Sequence, residues 1–420
     1  MMETRYLIIG NSAGGIGAVE AIRDHDSAGT ITIVSGEPYP VYGRALIAKY
    51  LTGERTFEDI MYRSEDFYEQ NNINVLLGTN VEGINTNTRT ATLDDGQTVS
   101  WDKLLLATGG TPIVSQMNGL DKKGVFTFTR LDDAKTLDKY LYNAGKAVVI
   151  GGGLIGISVS EALYKRGIDV TIVEMKDRIL NVILDEQASQ MAQETLSKVE
   201  VRIITNNTVA EIGGDESVRE VILCDGQVVP CDLVVVAIGV VPRIDLAAAA
   251  GIEVNRGILV DRQMQTNASD VYACGDVAEA YDFVYDACRP VPIWPGAYIG
   301  GRTAGINMAG GEAEYPGVTV MNSLNYFGLD IVSAGIVVAP DDSYEVLISR
   351  SNGNYKRIVL KDNLIKGMEF VRDIDKSGII FSLMKDAVDV GEFKEKLMTD
   401  DFGLIHLPEA MWRQRLECRA

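Results

Sequence analysis

Strand-length apolar runs recur along this chain, and two of them lead straight into glycine-rich turns. Tyr6-Leu7-Ile8-Ile9 enters Gly10-Asn11-Ser12-Ala13-Gly14-Gly15, and Ala147-Val148-Val149-Ile150 enters Gly151-Gly152-Gly153-Leu154-Ile155-Gly156. Apolar residues at helical spacing follow each turn. In the second copy Ile155, Val159, Ala162 and Leu163 share one predicted helical face, and Gly167 stops the helix. A strand predicted over residues 170–173 then ends on Glu174. In the first copy the strand over 31–34 ends on Ser35, and the nearest acid, Glu37, comes two residues later.

The rest of the pattern repeats as well. Each glycine turn is followed by a predicted hairpin, around Asp95-Gly96 and around Asp225-Gly226. Each unit closes on a buried strand entering a tight turn, Leu104-Leu105-Leu106-Ala107-Thr108-Gly109 and Val234-Val235-Val236-Ala237-Ile238-Gly239. A short strand ending in Gly275-Asp276 precedes a helix predicted over 295–307. From about Asn325 apolar and polar residues alternate, as in a small antiparallel sheet, and the tail over 393–419 reads as helical. The expected fold is α/β: two Rossmann-like dinucleotide-binding domains and a C-terminal α+β interface domain. The boundaries read as 1–112 with 242–324, then 113–241, then 325–420.

The turn residues carry a physical meaning. The first glycine takes a backbone conformation that side chains disfavour, the second admits a pyrophosphate, and the third packs helix against strand. The helix N-terminus offers unpaired N–H groups and a partial positive charge to the phosphates. Ser12 replaces the middle glycine of the first copy with a small side chain. Glu174 is placed to accept hydrogen bonds from an adenosine ribose and would repel a 2′-phosphate, which favours NAD(H) over NADP(H). Glu37 is the corresponding candidate in the first copy. Two dinucleotides in one chain imply redox chemistry between them.

Bulk properties narrow the partners. The 420 residues carry a net charge of −20, which argues against nucleic acid. No apolar run reaches the length of a membrane span, and the first strand begins almost at the N-terminus, so a cytoplasmic protein without a signal peptide is expected. The five cysteines, Cys224, Cys231, Cys274, Cys288 and Cys418, form no C-x-x-C pair and read as reduced thiols. With only His25 and His406 besides, no metal site is expected.

These motifs, in this order, resemble the pyridine nucleotide–disulfide oxidoreductase superfamily over nearly the whole chain. The resemblance implies FAD on Gly10, Ser12, Gly14 and Gly15, and NAD(H) on Gly151, Gly153, Leu154, Ile155, Gly156 and Glu174. It makes Ala107-Thr108-Gly109 and Gly239 the domain-closing turns, and Gly275-Asp276 the second FAD motif, with Asp276 on the ribityl chain. Tyr42-Gly43-Arg44-Ala45-Leu46-Ile47-Ala48-Lys49-Tyr50-Leu51-Thr52-Gly53 is similar to a segment of rubredoxin, ferredoxin and nitrite reductase flavin domains. By that match Arg44 contacts FAD and Lys49, the candidate catalytic residue, lies near the flavin ring. Val81, Arg130, Trp294 and Ala297 fall where relatives touch FAD.

Two departures shape the expected chemistry. Residues 39–53 hold no cysteine, where disulfide-exchanging relatives carry one or two. Ser158 stands where many relatives place a glutamate that pairs with the lysine. The resemblance therefore implies hydride transfer from nicotinamide C4 to flavin N5, with electrons leaving to an iron–sulfur carrier or a catalytic partner subunit. That partner is a rubredoxin, a ferredoxin, or a larger anaerobic oxidoreductase of the phenylglyoxylate dehydrogenase or tungsten aldehyde oxidoreductase kind. The C-terminal domain is expected to serve as a homodimer or partner interface. A small-molecule NADH oxidase and a regulatory flavoprotein with NADH-controlled assembly are the alternative readings.

Overall fold

The structure is a computed structural model that describes residues 2–114 and 117–408. It is a mixed α/β fold, as the apolar pattern implies. Packing divides the chain into two compact units. The first comprises Met1–Ile113, Thr129–Ala134 and Gly239–Thr319; the second comprises Val114–Phe128, Lys135–Ile238 and Val320–Ala420.

The first unit is built on a seven-stranded sheet. Strands Ile73–Leu77, Ile31–Ser35, Met2–Ile9 and Thr98–Leu106 run parallel in that order. The long Thr98–Leu106 strand serves two partners on its other side. Its start pairs antiparallel with Thr90–Leu93, and its end pairs parallel with Val271–Ala273. Because Ile9 lies opposite both Val34 and Leu106, and Leu106 opposite Ala273, four strands finish level. Helix Ala13–His25 covers this sheet through Ile16, Val19 and Ile22, all fully buried. Helix Trp294–Met308 packs against it backbone to backbone: a Cβ on Gly301 would lie 2.0 Å from the Gly14 carbonyl oxygen, and one on Gly305 2.5 Å from that of Ala18.

The second unit repeats the plan. Arg202–Ile204, Asp169–Val173, Lys146–Ile150, Leu233–Val236 and Val125–Phe126 form a parallel sheet in that order. Helix Leu154–Lys165 buries Gly156, Ile157, Val159, Ser160, Ala162 and Leu163. Ile155, expected on the inner face, is only half-buried, as is Leu154 beside it at the start of the helix, and Ile157 takes the inner position of that turn. The C-terminal sheet is antiparallel and five-stranded. It starts at Met321, slightly before the alternation becomes visible, and carries helix Ser377–Lys385 on one face.

The tail departs from expectation. Up to residue 408 it contains only the short 3-10 turns Lys394–Met398 and Leu404–His406; the remainder of the expected helix, with Cys418, lies outside the described residues. The buried anchors Leu397, Phe402 and Leu407 are spaced by five, which does not keep one helical face, and Gly403 interrupts the run. Among the described residues no helix is long and apolar enough to cross a membrane.

A buried polar cluster ties the C-terminal sheet to the helix Glu186–Lys198. Asp185 caps that helix at the Ala188 N–H, 2.9 Å away, and accepts from the Tyr355 hydroxyl and the Arg357 guanidinium. Its own N–H donates to Glu369 at 2.8 Å. Glu369 has no exposed surface, and burial followed by the Asp185 charge pushes its carboxyl up to about 8. The folded pKa exceeds the unfolded one, so the fold keeps this proton at a pH where the unfolded chain gives it up. The contribution is full in acid and is lost as pH rises towards about 8. Glu369→Gln is therefore expected to raise the melting temperature by several degrees at about pH 9 and to change it little at about pH 5. Melting curves across that range, read against the parent chain, check this; equal shifts at both ends would contradict it.

Candidate functional site

The level strand ends of the first unit assemble its candidate site. At Gly10 φ is +125°, and a Cβ there would lie 2.1 Å from the Ala107 carbonyl oxygen. A Cβ on Gly15 would meet the Gly10 oxygen at the same distance. Strand, turn and helix thus touch through bare backbone. Ser12 caps the helix by position, yet its side chain makes no capping hydrogen bond, leaving the first-turn N–H groups to an incoming acceptor. Gly14 faces Cys274 Sγ and the Ala297 carbonyl, and Gly275 faces the Ala297 methyl, so the three FAD-motif segments meet in one place. Asp276 is half-buried beside them; burial raises its pKa and the Arg44 charge opposes the rise. Trp294 packs edge-on to Tyr62, with ring centroids 4.9 Å apart.

Glu37 and Arg44 come together with each other. The Arg44 guanidinium pairs with one Glu37 oxygen, and the buried Tyr42 hydroxyl donates to the other at 2.5 Å. The Tyr42 oxygen in turn accepts the Leu131 N–H at 3.0 Å, while Arg44 reaches the Thr129 carbonyl at 3.4 Å. Arg130 is therefore held between two anchored residues, and no acid among the described residues pairs with its guanidinium. Val81 sits partly buried at a bulge where the edge strand Val81–Asn85 pairs with Thr90–Leu93. Lys49 lies on the short helix Ile47–Leu51 with its side chain exposed.

In the second unit Gly151 has φ +106°, and a Cβ there would approach the Ala237 oxygen to 2.4 Å. Gly156 closes on the Gly151 oxygen in the same way. Gly153, at the helix N-cap, has open space where a side chain would be, which suits a phosphate against bare N–H groups. Glu174 is buried at the neighbouring strand end. Its two oxygens accept the Gly152 N–H at 2.6 Å and the Lys176 N–H at 2.8 Å, so its carboxylate is fixed beside the turn. Leu154 and Ile155 open the helix half-buried. Ser158 is hydrogen-bonded to Tyr326, whose hydroxyl also donates to the Leu154 carbonyl at 3.2 Å. Gly239, with φ +129°, starts the return of the chain to the first unit, where Val240–Pro242 pairs antiparallel with Gly110–Pro112.

Arg243, at the end of that return, comes near Arg44 and Arg130 and is not among the residues that the motifs single out. A signal was present: Gly239-Val240-Val241-Pro242 mirrors Gly109-Gly110-Thr111-Pro112 in length and ending, as paired strands would. The four described cysteines are all free thiols. Cys231 and Cys274 are buried, and burial pushes both up to about 12, which keeps them protonated; Cys224 and Cys288 are exposed and free.

The comparisons agree with this geometry. Residues 4–290 match the family described as pyridine nucleotide-disulphide oxidoreductase, and residues 321–388 match the rubredoxin NAD+ reductase C-terminal domain. The chain belongs to the pyridine nucleotide-disulphide oxidoreductase family, whose members bind FAD and NAD(H). It is 32% identical over 395 residues to a nitrite reductase [NAD(P)H] of Bacillus subtilis, covering 93% of this chain and 48% of that one. It is 31% identical over 406 residues to the NADH-dependent phenylglyoxylate dehydrogenase subunit epsilon of Aromatoleum evansii, covering 96% of each. The crystal structure of NADH:rubredoxin oxidoreductase from Clostridium acetobutylicum superposes with a TM-score of 0.78 at 26% identity, over 93% of this chain and 97% of that one. The chain thus spans about half the length of the nitrite reductase and nearly all of the other two.

Both sites fit their dinucleotides on the observed cradles: bare N–H groups at two helix N-termini, and carboxylates at the adjoining strand ends. Asp276→Ala is expected to yield protein poor in flavin, measured by absorbance after purification; full FAD occupancy would remove Asp276 from the site. Alkylating the exposed Cys224 and Cys288 is expected to leave NADH-driven dye reduction unchanged, and its loss would restore a thiol mechanism.

Proposed function

We propose that this chain is an FAD-dependent oxidoreductase that passes electrons between NAD(H) and an iron–sulfur protein or partner subunit, without a redox disulfide. The observation that carries the reading is a complete pair of dinucleotide cradles combined with the absence of any cysteine over residues 39–53. The relatives named above act with NADH or NAD(P)H, and one of them on rubredoxin.

FAD, when bound, takes up an electron pair and releases it singly. The chain's own residues bind and orient. The N-terminus of helix Ala13–His25 receives the diphosphate, Asp276 the ribityl hydroxyls, and Glu37 shares its remaining lone pairs with the ribose. Lys49 supplies positive charge near the flavin, and Trp294 covers the ring. Val81, Arg130 and Ala297 complete the FAD contacts. Gly151, Gly153 and Gly156 hold the NAD(H) diphosphate, with Leu154 and Ile155 beside it. Glu174, fixed by two backbone N–H groups, receives the adenosine ribose and repels a 2′-phosphate.

On this reading residues 1–112 with 242–324 hold FAD, 113–241 hold NAD(H), and 325–420 form the interface for a homodimer or partner. The protein works in the cytoplasm. An anaerobic titration with NADH, followed by rubredoxin, ferredoxin or oxygen, tests the proposal. Rapid re-oxidation by the protein carriers is expected. Re-oxidation by oxygen alone would assign an NADH oxidase, and slow bleaching with a change in assembly a regulatory flavoprotein. Glu174→Arg is expected to shift preference towards NADPH, measured as the ratio of kcat/KM for the two coenzymes; an unchanged ratio would exclude Glu174.

A further inference from the structure

The first site brings three guanidinium groups near one another. Arg44, Arg130 and Arg243 lie close together, in a chain whose net charge is −20. Arg44 is committed to Glu37 and Tyr42. Arg243 is held in place mainly by its backbone: its N–H donates to the Gly109 carbonyl at 2.9 Å, and its carbonyl accepts the Thr108 hydroxyl at 3.2 Å. Among the described residues its guanidinium makes one hydrogen bond, to the Gly110 carbonyl at 3.3 Å, out of five possible donors. Asp245 and Glu37 act on it only from a distance. Burial, and then the neighbouring Arg130 and Arg44, push its pKa down, the signature of a cation kept among cations.

The position explains the arrangement. Arg243 is tied to Gly109 and Gly110, which directly follow the Ala107-Thr108 segment, and Ala107 lies against Gly10 at the start of the glycine turn. We propose that Arg243 is a further anion-binding residue of the first site, which together with Arg130 neutralises the diphosphate of the bound flavin dinucleotide. Two guanidinium groups with no carboxylate ion pair among the described residues match the two negative charges of a dinucleotide diphosphate, and a planar guanidinium suits bidentate contact with phosphate oxygens. Contact with that anion also removes the like-charge repulsion. The inference rests on the FAD reading above.

The test uses apoprotein titrated with FAD, FMN and riboflavin, followed by flavin fluorescence. Arg243→Met is expected to raise the FAD Kd by roughly tenfold and to leave riboflavin binding unchanged, with Arg243→Lys in between. The parent's FAD affinity should fall with added salt, and Arg243→Met should flatten that dependence. Because the main-chain bonds of Arg243 survive any of these substitutions, circular dichroism of the apoproteins should coincide. Equal FAD affinity in parent and Arg243→Met, equal weakening of FAD and riboflavin, or a salt-independent parent each overturns the inference. Equal FAD affinity does so while leaving the flavoprotein reading standing. A parent chain that binds no flavin overturns both.

Discussion

Backbone touching backbone is the constraint on which the rest of the structure depends. In both units a glycine at a strand end lies against a carbonyl of the neighbouring closing strand, and a second glycine brings the helix onto the turn. In the first unit the contact extends to a second helix, where Gly301 and Gly305 meet the carbonyls of Gly14 and Ala18. A methyl group at any of these points would force the elements apart. Moving them by an ångström would misdirect the helix N–H groups, since charge-assisted hydrogen bonds depend on short distances and alignment.

Register then converts close packing into a site. Ile9, Val34, Leu106 and Ala273 finish level in the first sheet, as Ile150, Val173 and Val236 do in the second. Everything that follows those residues emerges at the same edge: the glycine turn, the acid and the closing turn in each unit, and Asp276 in the first. The acids respond differently to that placement. Glu174 is tied to two backbone N–H groups, whereas Glu37 is tied to Arg44 and Tyr42. The electrostatics differ accordingly, with an anion fixed beside one turn by backbone N–H groups and an anion paired with a guanidinium beside the other.

The family name refers to disulfide chemistry, and residues 39–53 of this chain hold no cysteine. Among the described residues, burial pushes the buried thiols up and keeps them protonated, and the exposed ones lie on hairpin segments. What remains is the scaffold that such proteins share: two nucleotide cradles and a C-terminal sheet. In this chain the sheet is fastened to the rest of the second unit by the Asp185–Tyr355–Arg357–Glu369 cluster and by Tyr326 at the helix start. A buried acid whose pKa is raised by burial, Glu369, belongs to that fastening.

The sequence by itself determined the two glycine turns, the strand-terminal acid Glu174, the Gly275-Asp276 motif and the missing thiol. These are local patterns whose backbone geometry is dictated by a few adjacent residues. The duplication was legible for the same reason, because apolar period and turn residues repeat within short windows. Only the tertiary structure decided that Glu37 pairs with Arg44, that Ser158 meets Tyr326, and that Arg243 returns across the chain to the first cradle. Those are contacts between residues far apart in sequence, created by strand pairing and side-chain reach. The tail shows the converse: apolar residues suggested a helix there, yet their spacing and Gly403 leave only short turns, anchored where the folded core receives them. Local pattern specifies what a segment is able to form, and long-range packing selects which partner each side chain finds.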